Sequence, residues 1–142
     1  MRNAARGFTL VELVVVITIL GILAAFAVPR FLSLDTQARA AAVDGLGGSL
    51  RSSSSLTHSL WMASGSPGTI TMEGQVITMT NGYPNLATID DTLQDTSGFT
   101  YTPGTGVFTK DGATTPANCS VTYTAPAAAN TPPTIAVVKT GC

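Results

Sequence analysis

Charge is scarce in this chain, and positive charge especially so: seven Lys and Arg stand against eight Asp and Glu in 142 residues, with one histidine. Without a basic tail or stripe there is nothing to follow a phosphate backbone, so nucleic-acid binding is not evident. The lone histidine, His58, lies three residues before Trp61 on a predicted helix and is read as a packing or surface residue rather than a catalytic one. Cysteine is limited to Cys119 and Cys142, a poor basis for a zinc site when no companion histidine cluster exists. Aromatic residues make up only 6% of the chain. Tyr83, Tyr101 and Tyr123 are spread over predicted strands, as packing residues are, instead of forming a sugar-binding platform. Asp90, Asp91 and Asp95 lack the alternating oxygen-ligand spacing of a calcium loop and are read as a solvated turn or helix start. No enzyme signal remains and no cofactor is implied. With 11% charged residues, the solvent-facing surface must rely on Thr, Ser, Gly and Ala, which suits a densely packed extracellular assembly.

What the chain has in excess is one apolar run. From Phe8 to Val28 the only charged side chain is Glu12. As a helix this segment spans roughly 31 Å, enough to cross a bilayer. An ionised carboxylate in such a segment costs several kcal/mol unless paired, which marks Glu12 as a functional candidate. A structural role is equally open, with Glu12 in the first helical turn at the membrane surface and favoured by the helix dipole. Ahead of the run, residues 1–7 carry Arg2 and Arg6 and no acid, as a removable leader does. A conventional signal cleaved after Ala25-Phe26-Ala27 is the rival, but Pro29 lies one residue beyond the new terminus, a poor context for that cut. Cleavage between Gly7 and Phe8 instead retains the apolar helix and creates an amine at Phe8, the cation that Glu12 otherwise lacks.

The run Gly7-Phe8-Thr9-Leu10-Val11-Glu12-Leu13, followed by an apolar helix, resembles the prepilin signature of type IV pilins and related pseudopilins. The resemblance is dense over the first third of the chain and loose after it. It implies a leader at 1–7 removed by a prepilin peptidase, N-methylation of Phe8, and a transmembrane and assembly helix over 8–28. It also implies a homo-oligomeric helical filament raised on an inner-membrane assembly platform. The subunit is then held in the inner membrane before assembly and displayed on the cell surface afterwards. Glu12 is implied to pair with the Phe8 amine of a neighbouring subunit during docking, and the helix between Gly21 and Pro29 to melt locally in the filament.

A globular head is expected over 29–142. Pro29 should bend the helix, which then continues over 30–62. Phe31, Leu34, Ala38, Ala41, Ala42, Leu46, Leu50, Leu56 and Leu60 recur in steps of three and four and predict its buried face. Gly45, Gly47 and Gly48 weaken that helix, at about 1 kcal/mol each relative to Ala. Residues 63–84 read as an αβ-loop containing a hairpin of 69–72 with 75–79 around Glu73-Gly74, then a turn at Asn81-Gly82-Tyr83-Pro84. Within 85–142 a short helix is expected near 87–93, then hairpins 99–102 with 107–110 and 119–124 with 134–140, the last joined by the loop 125–133. Pairing of that last hairpin brings Cys119 near Cys142, and a bridge there stabilises by about 3 kcal/mol. The predicted fold is α+β, a long N-terminal helix packed on an antiparallel sheet of about four strands. By resemblance this is the type IV pilin fold, with the disulfide bounding an exposed variable region. Asn118-Cys119-Ser120 also matches a short glycosylation pattern.

The resemblance implies a structural subunit of a type IV pilus, a surface filament used for adhesion, motility or DNA uptake. The alternative is a pseudopilin of a type II secretion system, against which the C-terminal cysteine pair counts. A soluble exported domain survives only if cleavage follows Ala27. Asn81-Gly82-Tyr83-Pro84 after the helix is similar to the mannose-sensitive haemagglutinin group of pilins.

Overall fold

The computed structural model describes residues 7–129 and 131–142. The leader expected at 1–7 therefore lies, up to Arg6, outside the described residues, as does Asn130 of the loop 125–133. Helix α1 runs from Leu10 to Ala63 with Pro29 inside it, so the helix continues past the proline. The chain forms two compact units, one ending at Asp35 and the other spanning Thr36–Cys142.

In the first unit the large apolar side chains are exposed from Phe8 to Leu34, including Phe26 at 75% and Phe31 at 70%. Among the described residues, α1 is the one helix long and apolar enough to cross a membrane, and its most apolar window is entirely unburied. The single polar hydroxyl in the middle of that window is satisfied internally, because Thr18 Oγ1 donates to Val14 O at 2.7 Å.

The second unit packs the C-terminal half of α1 with seven short strands: β1 (Thr69–Met72), β2 (Gln75–Thr80), β3 (Tyr83–Pro84), β4 (Phe99–Thr102), β5 (Val107–Lys110), β6 (Ser120–Thr124) and β7 (Thr134–Val138). They form an antiparallel three-stranded sheet ordered β1-β2-β3 and an antiparallel four-stranded sheet ordered β4-β5-β6-β7. The four-stranded sheet matches the expectation. The three-stranded one lies within the segment read as an αβ-loop. Both of its tight turns put two consecutive residues at positive φ, Glu73 and Gly74 at 50° and 85°, Asn81 and Gly82 at 54° and 87°. That is the two-residue hairpin geometry for which Asn-Gly is the strongest sequence signal.

The helix face differs from the predicted one. Its buried residues are Val43, Leu46, Gly47, Leu50, Ser54 and Thr57, whereas Leu56 is 60% exposed and Phe31 and Leu34 lie uncovered in the first unit. Close approach explains the shift. A Cβ on Gly47 would stand 2.9 Å from Val137 Cγ2, so glycine lets β7 lie against the helix. Ser54 and Thr57 tolerate burial because their hydroxyls donate back to the carbonyls of Arg51, Ser53 and Ser54. Leu50, Val43 and Leu46 then meet Ile89, Phe108, Val121 and Tyr123 in one core.

The helix expected near 87–93 contracts to a 3₁₀ turn at Asp90–Thr92. Asn85 Oδ1 accepts from the amides of Ala87 and Thr88, at 3.0 and 3.1 Å, and from the Thr88 hydroxyl; this local arrangement competes with helical bonding. The last hairpin is also shorter than predicted, since Cys119 follows a second 3₁₀ turn and β7 stops at Val138. Cys119 and Cys142 are joined by a disulfide with Cα atoms 4.8 Å apart, both buried. Arg39 Nη1 donates to Cys142 O at 3.1 Å, which links the bridged segment to the helix.

Phenol groups fasten the segment after β3. Tyr123 Oη donates to Pro84 O at 2.8 Å and Tyr101 Oη to Leu86 O. Burial, with smaller contributions from nearby acids, pushes the Tyr101 hydroxyl up to about 12, and burial pushes Tyr123 higher still. Two folded-state acids with raised pKa contribute stability that is fully present below the unfolded value near 10 and lost as pH rises through the folded values. The melting temperature should therefore fall steeply above about pH 10, and Tyr123→Phe should flatten that decline; an unchanged profile would exclude this origin. Gly106 sits at φ +72° with Tyr123 O only 2.1 Å from where a Cβ would lie. Gly106→Ala should cost more than about 2 kcal/mol in denaturant unfolding, while Gly45→Ala, which meets nothing within 4 Å, should gain up to about 1 kcal/mol.

Candidate functional site

The start of the apolar helix holds the residues that composition singled out. Gly7, Phe8 and Thr9 precede α1 and lie outside any helix or strand. A Cβ on Gly7 would meet nothing within 4 Å, so packing among the described residues does not demand glycine there. Phe8 is 89% exposed. Thr9 is the N-cap: its Oγ1 accepts from the Glu12 amide at 3.2 Å. Glu12, three residues on, returns the interaction, with Oε2 accepting from the Thr9 amide and from the Thr9 hydroxyl, both at 2.8 Å. This reciprocal arrangement is a capping box, in which a threonine and a glutamate satisfy donors that the helix start would otherwise leave open.

The box fixes where the acid stands. Among the described residues, the hydrogen bonds to Glu12 all come from Thr9 and all end on Oε2. A carboxylate held at the helix N-terminus is also favoured by the helix dipole. The arrangement performs no bond-making chemistry. It presents one oriented carboxylate at the mouth of an uncovered apolar helix, where a cation can approach. Thr9 was not singled out from sequence as a partner of Glu12, although the Thr-x-x-Glu spacing before an apolar run is the signal that gives it.

The other sequence candidates lie elsewhere. Gly21 is exposed within α1, and a Cβ there would meet nothing within 4 Å. Pro29 lies further along the same helix. Cys119 and Cys142 belong to the second unit. His58 is packed: its ring stacks on Tyr83 with centroids 4.3 Å apart, and Nδ1 donates to Gly82 O at 2.7 Å. Trp61 beside it donates to Pro67 O at 2.8 Å. Asp95 Oδ1 accepts from the Ser97 amide at 2.7 Å, and hydrogen bonds from Ser97 hold its carboxyl below the ordinary range. Burial pushes the Asp90 carboxyl up. No group of three or more His, Cys, Asp or Glu is gathered as metal ligands among the described residues.

Comparison with known proteins picks out the same end of the chain. The family described as Prokaryotic N-terminal methylation motif matches residues 2–28. The type IV narrow pilus major component PilA5 of Thermus thermophilus is 56% identical over 48 residues, 34% of this chain and 41% of that protein. The type IV major fimbrial protein FimA of Dichelobacter nodosus is 48% identical over 46 residues, 32% of this chain and 28% of that protein. The match thus spans well under half the length of either relative, and no solved structure matches the chain significantly. The N-terminal third of the chain carries the prokaryotic N-terminal methylation motif and is similar to the corresponding part of type IV pilins.

Proposed function

We propose that the chain is a structural subunit of a type IV pilus, processed between Gly7 and Phe8, methylated at the Phe8 amine, and polymerised through the helix that follows. The observation that carries this function is the uncovered apolar segment from Phe8 to Leu34, most of which lies inside the methylation motif matched over residues 2–28. Such a helix is stable in lipid or against copies of itself. The relatives named as major pilus and fimbrial components support the same assignment. A prepilin peptidase and an inner-membrane assembly platform are the partners this route requires. The precursor resides in the inner membrane and the assembled subunit at the cell surface.

In this proposal Glu12 receives the Phe8 amine of a neighbouring subunit. The capping box supplies the physical means, because it holds the carboxylate at the helix mouth before any neighbour arrives. A lone charge in lipid is costly and a paired one much less so, so a subunit leaves the bilayer most readily into a site that offers the partner.

Charge and capping can be separated. Glu12→Gln keeps the capping box, which glutamine also forms, but removes the charge. Truncating one partner of a buried charge pair costs about 2–5 kcal/mol, so Glu12→Gln should lower filament yield by more than tenfold on this scale while leaving leader processing and membrane insertion intact. Thr9→Ala should retain most assembly, since loss of a cap costs only about 1 kcal/mol. Wild-type filament yield from Glu12→Gln, scored in sheared surface fractions, would exclude the pairing.

A further inference from the structure

The second unit carries a groove of about 660 Å³ whose lining includes Ser52, Leu56 and Met72 together with Glu73, Asp91 and Asp95. Leu56 stands 60% exposed there, an apolar side chain that the core does not use. Two of these acids accept hydrogen bonds, Glu73 Oε1 from Gln94 Nε2 at 3.3 Å and Asp95 Oδ1 from the Ser97 amide. Among the described residues none of the three forms an ion pair. A lining that combines apolar side chains with carboxylates matches a side chain with a hydrocarbon stem and a cationic head.

Cations are few in this protein, and those of the second unit are already engaged. Arg39 donates to Cys142 O and Arg51 to Ile135 O. Lys110 donates to Gly98 O at 2.7 Å and lies 5.0 Å from the centre of the Phe99 ring. Lys139 pairs with Asp44 at 2.8 Å. Arg30 is different: it is exposed, and among the described residues its guanidinium has no hydrogen bond or ion pair.

We infer that the groove receives the Arg30 side chain of a second copy of this chain, an inference that rests on the filament proposed above. Arg30 stands two residues beyond the apolar run that ends at Val28. In a bilayer, an arginine at that edge reaches the headgroup phosphates. Extraction removes those phosphates, and carboxylates on a neighbouring subunit replace them. The planar guanidinium can bond two carboxylates at once, which suits a lining with acids from the β1–β2 turn (Glu73), the 3₁₀ turn (Asp91) and the segment after it (Asp95). Placing an acid at position 30 should then set like charges against each other.

The test uses full-length chains in cells that export and assemble them. Arg30→Cys and Gln94→Cys are made as separate variants, expressed together, and their filaments treated with a short bismaleimide. Cross-linked dimers are expected in mixed filaments and not in filaments of either variant alone. Independently, Arg30→Glu should lower filament yield by about tenfold or more, and Asp91→Arg in the same chain should restore most of it. Filaments at normal yield without dimers, or a loss that Asp91→Arg fails to repair, overturn the groove assignment while leaving the filament proposal standing. If the unaltered chain forms no filaments at all in such cells, the filament proposal falls, and this inference with it.

Discussion

Water cannot be kept off the apolar side chains between Phe8 and Leu34 by anything within the first unit, and the rest of the molecule is arranged around that constraint. Each large apolar side chain left in water forgoes about 1.5–3 kcal/mol of burial, and over the segment the total is on the order of tens of kcal/mol. Lipid can supply the cover, and so can copies of the same helix. A chain that exchanges one for the other must solve its polar problems locally. Thr18 does so by bonding back to Val14 O, and Glu12 by the box it forms with Thr9.

The second unit solves the opposite problem, how a small β-rich domain coheres with little charge. Its core is a modest set of apolar residues on α1, β5 and β6, joined by Ile89 and the bridged cysteines. Much of the remaining cohesion comes from neutral hydrogen bonds that fasten long segments to one another: Tyr123 to Pro84, Trp61 to Pro67, and Asn81 to Pro126. The disulfide closes the final hairpin beneath Arg39. Neutral polar groups and a covalent closure lose little in salt.

Legibility from sequence followed how local the determining physics was. The hairpin at Glu73-Gly74 was readable because positive φ at both central residues is a requirement of the turn itself; Asn81-Gly82-Tyr83-Pro84 was read only as a turn, whereas Tyr83–Pro84 pairs with β2 and makes a second hairpin. The cysteine pair was readable because both residues flank the open end of the last hairpin, although the ladder sets Ser120 against Val138 and the bridge forms beyond it. The helix face was only partly readable, since periodicity finds apolar residues and the actual contact uses Gly47, Ser54 and Thr57, which owe their burial to β7 approaching closely and to back-bonded hydroxyls. The turn at Asp90–Thr92 was overestimated as a helix because Asn85 captures the amides that would begin one. At the N-terminus the acid was conspicuous, while its partner Thr9 was hidden in plain spacing.

The central claim is that the apolar helix is retained and begins the working protein. The most direct measurement is the intact mass and N-terminal sequence of the chain recovered, without reduction, from cells carrying the export machinery. A chain beginning at methylated Phe8, with the Cys119–Cys142 bridge intact, is the predicted result. A chain beginning at Val28 would discard the helix together with Glu12 and contradict the account.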